Sequence, residues 1–406
     1  MLLTIGIAFA FQYGVGPYIL DISISNYVTD AWTDGCLGFS TPELQEQCVG
    51  NQGVYRATSS ALVFFLLAGI AACCKPTANR EAWPAKYILF LFLVLATCFI
   101  PNAPLFSEIY LNIARIGGVF FVVIQQVIIL DLAYNWNESW VEKSNSAETE
   151  QDGKRWLAAI LVSCAMLFTT TLVGIGLLFW GFGGCASNEA FIAITLVLSI
   201  VLTLLQLFAS DEGSLLSSAV ICVYGTYLCY TAVALNPNEA CNPHLGQEDV
   251  LGIVFGISIT FMSLGWTGYS FTAEKTINGE TNLEENLVDD EEKATTTAEG
   301  DRKVQGVVTN AQDDNDDNEQ PSTAADPTTP SSKPVSWKLN FVLGMISCWI
   351  AMTLTGWGSI QGGGNAANPD VSDVSMWMLI ASQWIVYLLY FWTLMAPKFL
   401  PGRDFS

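Results

Sequence analysis

Residues 107–143 read SEIYLNIARIGGVFFVVIQQVIILDLAYNWNESWVEK, a proline-free run that is apolar through most of its length. If all of it is helical, a rise of 1.5 Å per residue carries it about 55 Å, against about 30 Å of hydrocarbon in a bilayer. The run is too apolar for a solvated helix and too long for an upright span. It therefore predicts a helix that crosses the membrane at a strong tilt or projects beyond it.

With its own apolar core at 109–134 this run is one of ten such stretches, at 2–20, 57–74, 86–103, 109–134, 156–180, 190–209, 214–235, 250–270, 339–356 and 375–396. The chain is 51% hydrophobic and only 13% charged, with mean hydropathy +0.40, where a soluble domain carries about 25% charged residues. One soluble core cannot hide that much apolar sequence. Lipid offers no partner to backbone N–H and C=O groups, so the stretches must be helices or a closed barrel. They lack the alternation of barrel strands. The predicted fold class is all-α: a polytopic membrane helical bundle of about ten transmembrane helices. Residues 1–270 carry spans 1–8, 271–335 form a polar insertion, and 336–406 carry spans 9–10 and the C-terminus. The first run lacks the basic flank of a signal peptide and is read as a retained span.

Ten alternating crossings sort the 16 basic residues onto two sides. One side holds only Arg56 and Arg115; the other fourteen, from Lys75 and Arg80 to Lys398 and Arg403, share the opposite side. The positive-inside rule makes that side cytosolic and puts both termini in the cytosol. Cysteines supply an independent signal, because disulfides persist in oxidising compartments. Cys36, Cys48, Cys185 and Cys241 all fall in loops on the predicted non-cytosolic side. We expect Cys36 to pair with Cys48 and Cys185 with Cys241, one of the three connectivities that four cysteines allow. The cysteines within spans suit small apolar packing positions. Cys73 and Cys74, at a cytosolic boundary, sit where S-acylation occurs.

Net charge is −22, which argues against nucleic acid as a partner. Residues 271–335 contain sixteen acidic and five basic side chains, so this segment alone supplies half of that charge. Its Thr, Ser, Asn, Asp and Pro bias cannot bury a core and predicts a disordered cytosolic loop.

Motifs for chemistry are sparse. His244 and Asp249 match the spacing of a glycerolipid acyltransferase motif, in which His is a general base oriented by Asp. Here they sit in a short loop beside Cys241 and Pro243 with no catalytic domain around them, and coincidence is the better explanation. With one histidine in the chain, no His-rich metal site is expected, and the span cysteines lack zinc-like pairing. We expect no cofactor and no catalytic residue. Gly252 and Gly256, and less clearly Gly14 and Gly16, suit close helix packing. Gly362, Gly363 and Gly364 suit a turn.

Residues 131–141 read DLAYNWNESWV, 215–237 read LLSSAVICVYGTYLCYTAVALNP, 241–243 read CNP, and the chain ends APKFLPGRDFS at 396–406. In wording, order and spacing these resemble the signature stretches of the serine incorporator (Serinc) family, whose long acidic cytosolic loop falls in the matching place. The resemblance covers essentially the whole chain. It implies two helical bundles crossed by a long tilted helix, in endoplasmic reticulum, Golgi or plasma membranes. It also implies a part in bringing serine into phosphatidylserine and sphingolipids and in moving phospholipids between leaflets. Two departures stand out. Family members usually begin with a further Cys-rich hydrophobic segment, and they tend to carry Asn where His244 stands.

Two functions are weighed. A non-enzymatic lipid translocator needs a polar furrow for the headgroup. Its candidate lining groups are Arg115, Gln125, Gln126 and Asp131 on the long run, with Thr169, Thr170 and Thr171 in the fifth span. The competing structural roles are snorkelling for Arg115 and Asp131 and helix–helix hydrogen bonding for the threonines. The alternative function is an amino-acid transporter, or a scaffold for lipid-synthesis enzymes. A carrier calls for helices broken near mid-membrane, and Gly174 with Gly176 is the nearest sequence feature. Expected partners are membrane phospholipids, with lipid-synthesis enzymes and a second copy of the chain as further candidates.

Overall fold

The computed structural model describes residues 1–21, 27–75, 83–209, 214–247, 249–277, 336–362, 365–366 and 368–399. Its α-helices are α1 (Leu2–Ala10), α2 (Gly16–Asp21), α3 (Tyr27–Thr33), α4 (Pro42–Cys74), α5 (Trp83–Thr97), α6 (Leu111–Asn145), α7 (Glu150–Phe182), α8 (Ala186–Ala209), α9 (Leu215–Val233), α10 (Val250–Ile277), α11 (Ser336–Leu354) and α12 (Pro369–Phe399). π-helical turns at Phe11–Val15 and Leu105–Tyr110 join α1 to α2 and lead into α6. Among the described residues the one β feature is a two-residue antiparallel ladder, with Gln361 opposite Ala366 and Gly362 opposite Asn365. It brackets the expected glycine turn, of which 363–364 lie outside the described residues.

Nine helices among the described residues are long and apolar enough to cross a membrane. The tenth expected stretch, 86–103, forms α5, which has 15 residues and is about 22 Å long. The loop after it still returns to the starting side of α4, because Asn102 donates to the Trp32 and Asp34 carbonyls at 2.6 and 2.7 Å. The α4–α5 hairpin thus brings the chain back to the loop that carries Cys36. The helix through Leu105–Asn145 has 41 residues, about 62 Å, so the overlong run is one continuous helical element.

Local chemistry sets the helix ends. At α4, Thr41 is extended and its hydroxyl accepts from the Leu44 N–H, while Pro42 occupies the first helical position, where no N–H is needed. At α7, Thr149 accepts from the Asp152 N–H at 3.2 Å, and Glu150 and Asp152 place negative charge on the first turn. The Ser144 hydroxyl donates to the Gly153 carbonyl at 2.9 Å and locks the α6–α7 corner. A Cβ at Gly153 would press on the Ser144 carbonyl at 2.8 Å.

The helices form two groups. α1, α4, α5 and α11 pack together, and so do α7, α8, α9 and α12; α6 packs against α4's partner α11 on one side and α7, α9 and α12 on the other. This is the two-bundle, crossing-helix architecture. Gly117 of α6 makes the first contact so close that an added Cβ would lie 2.7 Å from Cys348 Sγ. The first span lies against α4, with Gly16 packed on Gly50, whereas Gly14 meets nothing. α7 runs unbroken through Gly174 and Gly176.

Two compact units are distinguished, Met1–Ser263 with Val335–Ser406, and Leu264–Pro334. In the second, the described residues are the last turns of α10, where the Trp266 and Tyr269 rings lie 5.4 Å apart. α10 therefore continues past the expected boundary at 270. The predicted disordered loop, from 278 onward, lies outside the described residues.

Candidate functional site: a polar seam and an aromatic cavity

The polar interior of the second bundle is organised by α12. Ser372, Ser375, Gln383, Tyr387 and Tyr390 recur at helical spacing on one face, and all are buried. Eighteen residues separate the first from the last, about 27 Å along the axis, close to the hydrocarbon thickness. Ser372 bonds Ser359 at 2.6 Å, and Ser375 donates to the Trp357 carbonyl at 3.1 Å. Gln383 Nε2 donates to Thr195 Oγ1 of α8 and to the Gly225 carbonyl of α9, both at 2.8 Å. Tyr387 pairs with Ser199 at 2.9 Å, and Tyr390 with Ser218 at 2.8 Å. Gly225 is required here, because a Cβ would overlap the Tyr387 hydroxyl.

Of the seven residues expected to line a lipid path, the structure brings two to this seam. Gln126 Nε2 donates to the Val386 carbonyl of α12 at 2.8 Å. Arg115, 6% exposed, donates through Nε and Nη2 to the same Trp357 carbonyl that Ser375 holds, at 3.3 and 3.1 Å. Gln125 lies on a different contact, accepting from Tyr224 of α9 at 3.0 Å. Asp131 is exposed, with its Oδ1 accepting from Asn135 one turn on. Thr169 and Thr170 are exposed and Thr171 buried, and each hydroxyl donates to the carbonyl four residues back in α7. The seven residues do not share one surface.

Two carboxamide oxygens on the seam, Gln126 Oε1 and Gln383 Oε1, are buried and accept no hydrogen bond from any described residue. A buried polar atom of this kind costs free energy unless something donates to it. The seam's pattern was present in the last apolar stretch as polar residues three and four apart, but nothing in the sequence said which helices would face it.

The Trp357 carbonyl is presented by an unusual turn. Gly356, Trp357 and Gly358 all have positive φ, at 53°, 58° and 82°. Glycine takes this conformation freely, whereas a tryptophan in it is strained. Three N–H and O–H donors converging on one carbonyl offset that strain. The Trp357 ring packs edge-on against Trp349 of α11 at 5.9 Å, and Trp349 packs on Phe121 of α6 at 6.0 Å.

Beside this turn opens a cavity of about 420 Å³. Its walls include Gln47, next to Cys48, and Asn242, next to Cys241, so both disulfide-bearing loops meet at one end of the bundle. The expected pairs form: Cys36 with Cys48 and Cys185 with Cys241, with Cα–Cα distances of 5.6 and 5.1 Å. His244 and Asp249 also line this space, and each has other partners among the described residues. His244 packs edge-on against Phe182, while Asp249 Oδ1 accepts from the Tyr230 hydroxyl and the Gly252 N–H.

Sequence reasoning counted Arg56 only as a charge on the sparse side. In the structure it is fully buried, and its N–H groups donate to the carbonyls of Ala31, Gln52, Thr97 and Ile100 at 2.8–3.3 Å. Its guanidinium lies 4.7 Å from both the Trp32 and Phe106 ring centres. One cation therefore ties α3, α4 and the loop after α5 together.

Spans of this length, buried polar interiors and an element shared by two bundles define a polytopic α-helical membrane protein. The sequence profile of the family Serine incorporator (Serinc) matches residues 4–403. The chain belongs to that family. It is 28% identical to a "Probable serine incorporator" of Nematostella vectensis, over 90% of this chain and 82% of the relative. It is 25% identical to "Serine incorporator 3" of Bos taurus, over 96% and 86%, and 27% identical to a "Probable serine incorporator" of Monosiga brevicollis, over 88% and 79%.

Proposed function

We propose that this protein handles phospholipids without enzymatic chemistry, letting headgroups pass between leaflets and so supporting the incorporation of serine into phosphatidylserine and sphingolipids. The observation that carries this is the α12 seam. It runs about 27 Å along one helix of the bundle and leaves Gln126 Oε1 and Gln383 Oε1 without a donor among the described residues. A headgroup crossing hydrocarbon alone must be desolvated at large cost. Hydroxyls and carboxamides spaced along one helix replace water step by step while the acyl chains stay in lipid. An amino-acid carrier would call for a break near mid-membrane, and the unbroken course of α7 favours the lipid reading.

In this reading the sparse basic side and both disulfides face the lumen or exterior, both termini face the cytosol, and the protein resides in endoplasmic reticulum, Golgi or plasma membrane. Phospholipids are the partners, with lipid-synthesis enzymes and a second copy of the chain as further ones. The test is reconstitution of the full chain into liposomes with a fluorescent phospholipid whose outer-leaflet copies are chemically quenched. Quenching beyond half of the signal is expected, and it should slow in Gln383→Leu. No acceleration over protein-free liposomes would overturn the proposal.

A further inference from the structure

The cavity between the two disulfide loops has a chemistry of its own. Six aromatic side chains line it, Tyr13, Phe182, Tyr227, Tyr230, Trp349 and Trp357. Asp249 is the carboxylate among the lining residues described, and no lysine or arginine is among them. Its volume of about 420 Å³ falls in the range of small-ligand sites, about 300–1,000 Å³.

Asp249 is held in place. The Tyr230 hydroxyl and the Gly252 N–H both donate to Oδ1, and Oδ2 accepts no hydrogen bond from any described residue. Capping α10 explains one oxygen of this carboxylate. It does not explain why six aromatic residues line the same cavity as the carboxylate, or why neighbouring wall residues keep buried polar atoms unpaired. Gln12 Oε1, Thr353 Oγ1 and Trp357 Nε1 each lack a partner among the described residues, and Gln12 and Trp357 are only 8% and 1% exposed.

We propose that this cavity is a binding site for an organic ammonium group, carried by a small free molecule or by a phospholipid headgroup. Aromatic π-systems attract cations and gain most when water is excluded. A fixed carboxylate adds net charge complementarity, and the absence of lysine and arginine from the described wall, where His244 is the one titratable base, disfavours an anionic group. The site needs no lipid movement to be occupied, so it stands independently of translocation.

The test uses the full chain purified in a maltoside detergent, which carries no ammonium. Choline chloride and ethanolamine hydrochloride are titrated by calorimetry at constant ionic strength, with glycerol as the neutral control. Saturable binding of at least one ammonium compound, and none of glycerol, is expected. Asp249→Asn keeps the helix cap but removes the charge, and should weaken binding about tenfold or more with the melting temperature unchanged. Tyr230→Phe, which only frees Oδ1, should weaken it less. Repeating the titration in phosphatidylcholine and in phosphatidylglycerol mixed micelles separates the sources. Loss of choline binding in the first alone identifies the headgroup as occupant, and equal binding in both identifies the free molecule. No saturable binding of either ammonium compound, or full affinity in both variants, would overturn the proposal.

Discussion

The two bundles solve the problem of a buried polar interior in opposite ways. In the first, the buried charge sits at one end, where Arg56 alone gathers four backbone carbonyls between two aromatic rings, next to the Cys36–Cys48 disulfide. In the second, polarity is distributed along α12 as neutral hydroxyls and carboxamides across the membrane thickness. A charge is too costly to hold in hydrocarbon, so it stays in the ordered cap and clamps it. Neutral groups tolerate the depth if each finds a neighbour, and a ladder of them makes a path that a point anchor cannot.

This contrast breaks most easily at the clamp. Arg56→Met removes a charged donor from four carbonyls, and at about 1.5–3 kcal/mol per bond the loss should reach about 4 kcal/mol or more. The expected readout is absence of a monodisperse peak at ambient temperature in detergent chromatography; a normal peak and melting temperature would show the cap to be held elsewhere. Next comes the disulfide beside it. Replacing Cys36 and Cys48 with serine opens a short loop, with an expected cost of about 3 kcal/mol, read as a lowered melting temperature under non-reducing conditions.

On the seam the effects are smaller and spread out. Gly225→Ala forces a methyl group onto the Tyr387 hydroxyl and should cost about 1–3 kcal/mol by overpacking. A double-mutant cycle with Tyr387→Leu, which removes the overlapping hydroxyl and ring edge, should show the two changes to be less than additive, and full additivity would locate the strain elsewhere. Gln383→Leu deletes two interhelical hydrogen bonds worth about 0.6 kcal/mol each in a bilayer-type interior, so its stability change should be slight while lipid movement slows. Smallest of all, Thr169→Ala and Thr170→Ala should leave both melting temperature and lipid movement unaltered, since those hydroxyls bond only within α7. Slower lipid movement in either would return the path to the face of α7.

Residues 107–143 show where legibility stops. Their length and lack of proline foretold a helix longer than the membrane is thick, and α6 with its π-helical lead is that helix. Their polar members were equally visible, but not their roles. Gln126 joins the seam, Gln125 meets Tyr224, Arg115 serves the Trp357 turn and Asp131 stays exposed. Spacing along one helix tells which side chains share a face. It does not tell which neighbour that face meets, and Gln126 bonds to Val386, 260 residues away. Arg56 is illegible for the same reason, as three of its four carbonyl partners, Ala31, Thr97 and Ile100, lie 25 to 44 residues away in the chain.

By itself the sequence determined that this is a membrane protein of many helical spans, which four cysteines lie in loops on one side, and which family it belongs to. The bilayer makes these properties local: hydrocarbon demands an unbroken apolar run of fixed length, and each run declares itself without reference to any other. Only the tertiary structure decided the rest, namely the α12 seam, the Arg56 clamp, and the cavity with Asp249 among aromatic rings. Those depend on how each helix is rotated about its axis and what packs against it, and helix rotation is set by contacts between residues far apart in the chain.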